Sequence, residues 1–289
     1  MTTRRDIVIA GGGMVGLSLA LHLAYSLPRD CSISLVEGFS VPAPGASDAY
    51  HPSFDARSTA LSYSSERILG NIDVWDTLSR WSCPIRSIHV SNQGRFGSTL
   101  MRATDYHWAA LGHVVENAWL GNALLDVLQR RGEVELLSPV RVTAANTDRD
   151  GVRLTLEGAG PSELVTSLLV VADGAGSGLR GQLGMAVEEK PYGQQALVAN
   201  IATAQAHNGC AFERFTPGGP LAMLPLVDAP GAENRSALVW TLEQGLGSEL
   251  CDCDECEFLQ RLQREFGYRL GRLQTVSRRP PRVPRSPSR

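Results

Sequence analysis

Residues 6–10 form a short, β-branched apolar run, residues 17–27 form a longer apolar run closed by Pro28, and between them stand Gly11, Gly13 and Gly16. No other feature restricts the fold of the chain so tightly, because this spacing predicts a strand, a tight turn and a helix in immediate succession. The first glycine permits the turn, the second lets the backbone come close to whatever lies against it, and the third lets the helix pack on the strand. The free N–H groups of the helix N-terminus then present partial positive charge to an anion. A second apolar strand, residues 32–36, ends in Glu37, 21 residues after Gly16. There a carboxylate can accept hydrogen bonds from both hydroxyls of an adenosine ribose.

The same N-terminal letters, two arginines ahead of an apolar run and an Ala-Tyr-Ser, also suit a secretory leader. Glu37 decides between the two readings: a leader has no use for an acid at the end of a following strand, and a dinucleotide site does. The acid also argues against a 2'-phosphate, which leaves FAD or NAD open at this point.

Charge and composition add no competing direction. A formal net charge of −3 over 289 residues gives no electrostatic reason to expect nucleic acid as a partner. Apart from that N-terminal stretch, no window approaches the roughly 18 apolar residues of a membrane span, so the expectation is peripheral membrane contact at most. Six cysteines in a chain this long read as reduced thiols of a cytoplasmic protein. Cys251, Cys253 and Cys256 are interleaved with acids, but the spacing is not that of a structural zinc site and a fourth soft ligand is missing nearby. No metal is assigned, and the stretch is expected to be an exposed acidic lead-in to a helix over residues 257–266. The six histidines form no H-E-x-x-H, and no G-x-S-x-G elbow occurs.

Residues 140–172 read as three short strands, 140–146, 152–157 and 164–172, with turns at Asp150-Gly151 and at residues 158–161. Such a meander is unusual for NAD dehydrogenases, whose parallel strands are joined by helical crossovers. The last strand runs into Asp173, Gly174, Ser177 and Arg180. This D-G-x-x-S-x-x-R spacing, at this distance from the glycine motif, resembles the single-component flavoprotein aromatic hydroxylases. The resemblance implies FAD at the first motif, Asp173 and Gly174 near its ribityl and pyrophosphate parts, and Arg180 holding the turn.

Further segments are similar to the ubiquinone-biosynthesis hydroxylases within that family. Residues 54–62, FDARSTALS, resemble the segment that carries an arginine beside the flavin, here Arg57. Residues 114–120, VVENAWL, look like the start of a helix whose polar residues, here Glu116 and Asn117, face the cofactor. Without the resemblance, Arg57 also reads as a surface charge and Asn117 as a helix N-cap. Residues 211–226 are similar to the substrate-domain hairpin of the branch acting on 2-polyprenyl-6-methoxyphenol. The resemblance implies NAD(P)H as co-substrate, O2, and hydroxylation of a polyprenylated methoxyphenol through a flavin hydroperoxide, with sister enzymes acting at other ring positions. It implies no catalytic side chain, since the cofactor makes the bonds. Leu221, Met223 and Pro225 are candidates for the pocket wall, or equally for ordinary sheet core. Other ubiquinone-pathway proteins are the implied macromolecular partners, at the inner membrane face of the cytoplasm.

The expected architecture is an α/β nucleotide-binding domain, Rossmann-like and of the FAD type, with an inserted three-stranded meander (1–75 and 105–182), plus an α+β antiparallel-sheet substrate domain (76–104 and 183–276). Residues 277–289 contain only Ser, Arg, Pro and one Val and are expected to be disordered. Of 27 basic residues only Lys190 is lysine, which points to GC-rich coding DNA. Arginine and proline tracts are what an out-of-frame reading of such DNA produces. The sequence therefore leads to the expectation of a truncated or frameshifted family member that lacks the flavin-ring half of the site and retains, as the alternative to activity, adenine-nucleotide binding.

Overall fold

A computed structural model describes residues 3–41, 57–188, 190, 192–229, 231–277 and 283–284. The chain divides into two compact units, one of Met1–Ala56, Leu69–Leu78 and Asn117–Val187, the other of Arg57–Ile68, Ser79–Glu116 and Glu188–Arg289.

The first unit is built on a six-stranded sheet. Its strands run in the order Val134–Leu137, Ile33–Val36, Thr3–Ala10, Glu163–Val171, Gly151–Gly158, Val140–Asp148. The first four are parallel, with Ile7 opposite Ile33, Ile33 opposite Val134 and Ala10 opposite Val171. The last two return antiparallel and form the meander. Alternation along Thr3–Ala10 sends Val8 and Ala10 to one face, where with Val36 they join Val140, Val142, Leu154, Leu156 and Leu164 in one core. Ile9 points to the other face, under the helix Met14–Ser26. That helix starts at Met14, one turn earlier than the apolar run suggested, because Gly13 already serves as its N-cap. Gly16 is therefore inside the first turn.

The second unit holds a larger sheet in the order Leu273–Val276, Gln194–Thr203, Arg235–Glu243, Gly219–Pro225, Cys210–Thr216, Ser87–Asn92, Ser98–Arg102. It is antiparallel except where Cys210–Thr216 runs parallel to Ser87–Asn92. The helix Glu255–Phe266 lays Phe258, Leu262 and Phe266 into its core. Asp254 caps this helix, its carboxylate accepting the Glu257 N–H at 2.8 Å. Cys251 and Asp252 end a preceding helix, Leu246–Asp252, so only Cys253 and Asp254 of the acidic stretch lie between helices and it is not a plain lead-in. Among the described residues no three His, Cys, Asp or Glu side chains gather as a metal site would require, and no helix is long and apolar enough to cross a membrane.

Three expectations need correction. A separate three-stranded sheet pairs Ser58–Ser62 and Ser82–Ile85 with Gly112–Glu116, which carries residues 57–68 and 105–116 out of the first unit, where the sequence had put them, into the second. For the same reason Glu116 ends a strand instead of opening the helix Asn117–Arg131. It is occupied there by the Arg235 guanidinium at 2.7 Å and by Asn200 at 3.1 Å. In the tail, Val283 and Pro284 extend the sheet by pairing with Ala196 and Gln195, an edge that Leu273–Val276 leaves open by pairing only with residues 201–203. Tail residues 278–282 and 285–289 lie outside the described residues.

Candidate cofactor-binding site

The parallel strands of the first unit end together, and their carboxyl ends border a cavity of about 460 Å³. Gly11 and Gly13 line it at the bend, Glu37, Gly38 and Phe39 after the second strand, residues 140–143 from the meander, and Asp173, Gly174, Gly176 and Gly178 from the turn after the last strand. The ladder holds to its end: the Ala172 N–H reaches the Ala10 carbonyl at 2.7 Å and the Gly11 N–H the Val36 carbonyl at 2.8 Å. At Gly11 a side chain is excluded twice over. Its φ of +112° lies in the region that favours glycine, and a Cβ would sit 2.4 Å from the Ala172 carbonyl oxygen. Gly16 is not in the cavity wall; its part is packing, since a Cβ there would lie 1.8 Å from the Gly11 oxygen.

Glu37 is 3% exposed. Burial of a carboxylate is tolerable only with donors around it, and the bend supplies one: Oε2 accepts the Gly12 N–H at 2.6 Å, while Oε1 accepts the Phe39 N–H at 2.7 Å. Its backbone is fixed on both sides, by the Leu137 carbonyl at 2.9 Å and the Val140 N–H at 2.8 Å. Beside it the helix Met14–Ser26 begins with no side-chain cap and no acid in its first turn. Its unpaired N–H groups and positive end face whatever anion the cavity admits.

The opposite rim is the turn that holds Asp173 and Gly174, with φ of Gly174 at +93°. Ser177 caps the short helix Gly178–Gln182 by accepting the Arg180 N–H at 3.0 Å, and the Arg180 guanidinium donates to the Ala175 carbonyl at 2.7 Å. Both residues thus brace the turn from behind, while Asp173 is exposed at the cavity. Around Gly174, Gly176 and Gly178 a Cβ would meet nothing within 4 Å, so this rim presents bare backbone to open space. A buried acceptor, an uncapped helix end and a glycine rim are together the donor and acceptor set that an adenosine diphosphate requires.

Other expected site residues are not among those that line the cavity. Arg57 is half-buried ahead of Ser58–Ser62, and residues 54–56 of its segment lie outside the described residues. Asn117 is 5% exposed at the first position of its helix. Neither lines the cavity. Leu221 and Met223 are fully buried in the same core as Phe258 and Phe266 and do not line this cavity; Pro225, two residues further along the strand, is buried too. Strand alternation turns Leu224 instead toward a smaller core with Ile85 and Val114.

Two contributors escaped the sequence reading. Gly12, the variable position of the motif, supplies the N–H that holds Glu37, and a Cβ on it would be 2.7 Å from Oε2. Three glycines in a row, where the spacing asks for two, was the available signal. Arg141 lines the cavity from a strand read only for its valines.

A strand–glycine bend–helix unit with a buried acid after its second strand, crossed by an antiparallel meander, defines a nucleotide-binding flavoprotein fold. The chain belongs to the FAD binding domain family, whose model matches residues 4–280. It is 36% identical over 275 residues to the ubiquinone hydroxylase UbiL of Rhodospirillum rubrum, covering 95% of this chain and 60% of that protein. It is 30% identical over 268 residues to the 3-demethoxyubiquinol 3-hydroxylase of Escherichia coli, covering 92% and 64%. The chain thus spans less than two thirds of the length of these curated relatives. Among solved structures, pqsL, a probable FAD-dependent monooxygenase from Pseudomonas aeruginosa, superposes with a TM-score of 0.73 at 19% identity, over 95% of this chain and 73% of that one. The p-nitrophenol 4-monooxygenase PnpA of Pseudomonas putida does so at 0.68 and 18%, over 96% and 68%. At these identities the structures show the fold alone.

Proposed function

We propose that the first unit holds the adenosine diphosphate half of FAD, and that the chain acts in hydroxylation of a polyprenylated phenol, a methoxyphenol, in ubiquinone biosynthesis, with NAD(P)H as reductant and O2 as oxygen source. One observation carries the cofactor reading: the buried Glu37 carboxylate turned onto the Gly12 N–H, 2.6 Å away, at the glycine bend. The names of the relatives support the pathway.

When bound, FAD supplies redox and oxygen-transfer chemistry on its ring. This chain holds the other end. Glu37 accepts the ribose hydroxyls, the first-turn N–H groups of Met14–Ser26 meet the pyrophosphate, and Gly11, Gly13 and Gly174 let backbone approach it. Asp173 faces the cofactor from the rim, with Ser177 and Arg180 keeping its turn in place. Arg57 and Asn117 stay in this reading as flavin-side residues on the strength of the family resemblance. The first unit is then the nucleotide-binding domain and the second the substrate domain, in a cytoplasmic protein that meets its lipid substrate, and other pathway proteins, at the inner membrane surface.

Quenching of flavin fluorescence on titration with the purified chain tests the first half. Glu37→Ala removes the acceptor of the ribose hydroxyls, and the loss of even one hydrogen bond to a charged group, worth about 1.5–3 kcal/mol, is expected to weaken FAD binding by at least about tenfold. A wild-type chain that takes up no FAD sinks the reading. NAD(P)H consumption with a prenylated methoxyphenol, and the mass and ring position of the product, test the second half. Binding without turnover leaves an adenine-nucleotide-binding chain.

A further inference from the structure

Among the described residues that line the nucleotide cavity, Arg141 is the only cation, beside the carboxylates of Glu37 and Asp173. It forms no hydrogen bond or ion pair with a described residue. Its neighbours fix where it can lie. Val140 and Val142 are buried in the core, so strand alternation turns Arg141 outward, and it is exposed. Against it stands Gly38: a Cβ there would meet Nε at 3.3 Å, Nη2 at 3.6 Å and Cζ at 3.9 Å. Cζ, bonded to both nitrogens, is the farthest of the three, so the guanidinium turns its Nε–Nη2 edge to Gly38 and its faces are not covered by that residue.

Resting on the reading above, we propose that Arg141 is the base-positioning residue of the site: its guanidinium, edge-on against Gly38, is the flat wall on which the adenine ring stacks, and Gly38 is glycine because a side chain would push that wall away. The sugar sets the geometry. Its 2'- and 3'-hydroxyls are held by Glu37, and the base is attached at the carbon next to the 2'-hydroxyl, on the side away from the phosphates. The residue after Glu37 is Gly38, so the base comes to the Gly38–Arg141 wall while the phosphates go to the Gly11–Gly13 bend. A guanidinium is planar and weakly hydrated, and it stacks on π faces. Pairing with a phosphate, the other use of a free cation, would require Arg141 at the bend rather than against Gly38.

Competition of adenosine and ADP against FAD, measured with the wild type, Arg141→Leu, Arg141→Lys and Gly38→Ala, tests this. Arg141→Leu is expected to weaken adenosine, ADP and FAD by one common factor of about three- to tenfold, with the melting temperature unchanged because the side chain is exposed. Arg141→Lys should stay weakened, having lost the plane, and Gly38→Ala should weaken binding in the same direction, with no additional loss when combined with Arg141→Leu. A loss confined to ADP and FAD and restored by lysine assigns Arg141 to a phosphate and overturns the proposal. Unchanged binding in Arg141→Leu overturns it alone, whereas a wild type that binds none of the three overturns the cofactor reading with it.

Discussion

Gly16 and Glu37 show two different ways in which single residues make the site. At Gly16 the constraint is contact: with 1.8 Å between a Cβ and the Gly11 oxygen, either the helix or the bend must move. Gly16→Ala is expected to cost about 1–3 kcal/mol, as overpacking of a tight contact does, and to lower both the melting temperature and FAD affinity, because the bend it displaces also carries the Gly12 N–H. An alanine variant with wild-type melting and wild-type binding would mean that the contact relaxes freely. At Glu37 the constraint is chemical, an acceptor with two N–H donors already in place. The sequence could reveal both residues because each stands at a fixed distance from a change in hydrophobic period. Gly12 left only the trace of a third glycine where the spacing asks for two, and Arg141 left none. Their parts depend on which side chain arrives from another strand, and spacing along one strand does not encode that.

Among the elements, the edge strand Val134–Leu137 of the first sheet carries, besides its backbone ladder to Ile33–Val36, one side chain that ties it to two other strands. Glu135 accepts from Arg5 Nε at 3.0 Å, on Thr3–Ala10, and from the Ser34 hydroxyl at 2.6 Å, on Ile33–Val36, so it links three neighbouring strands. The Arg5 hydrogen bond, helped by Ser34 and by the Arg5 charge, holds its carboxyl below the ordinary glutamate value of 4.5 against the opposing effect of burial. A depressed folded-state value gives stability that is present above 4.5 and is lost as pH falls through the lower folded value. Glu135→Gln should therefore destabilise by about 0.5–1 kcal/mol at neutral pH, the low range because solvent screens a group this exposed. The difference should shrink as the pH falls below 4.5, which urea melts taken from pH 7 downward follow; a difference that does not change with pH would attribute the effect to packing. Five strands of this sheet were readable from sequence because each lies next to a turn or helix signal, whereas Val134–Leu137 was not read at all. The three-stranded sheet of Ser58–Ser62, Ser82–Ile85 and Gly112–Glu116 was not: its strands are four or five residues long, and two of its partners are some 50 residues apart. That distance is why Glu116 looked like a helix start.

On the scale of the whole chain, each unit has its own apolar core, one around Val8, Val36 and Leu154, the other around Phe258, Leu262 and Trp240. The described residues that line the cavity at the glycine bend all belong to the first unit. A ligand that binds only the folded state stabilises it by RT ln(1 + [L]/Kd), about 2.7 kcal/mol at a hundred times Kd, which is about a hundredfold in an opening equilibrium. Native-state hydrogen exchange with ADP at that excess reads where this stabilisation goes. Protection is expected to rise by about that factor in Thr3–Ala10 and Ile33–Val36, whose ends form the site, and to stay level in Arg235–Glu243, whose Leu238, Trp240 and Leu242 belong to the other core. An equal rise in Arg235–Glu243 would mean that the two cores open in one step, while no rise in Thr3–Ala10 would take ADP out of this cavity.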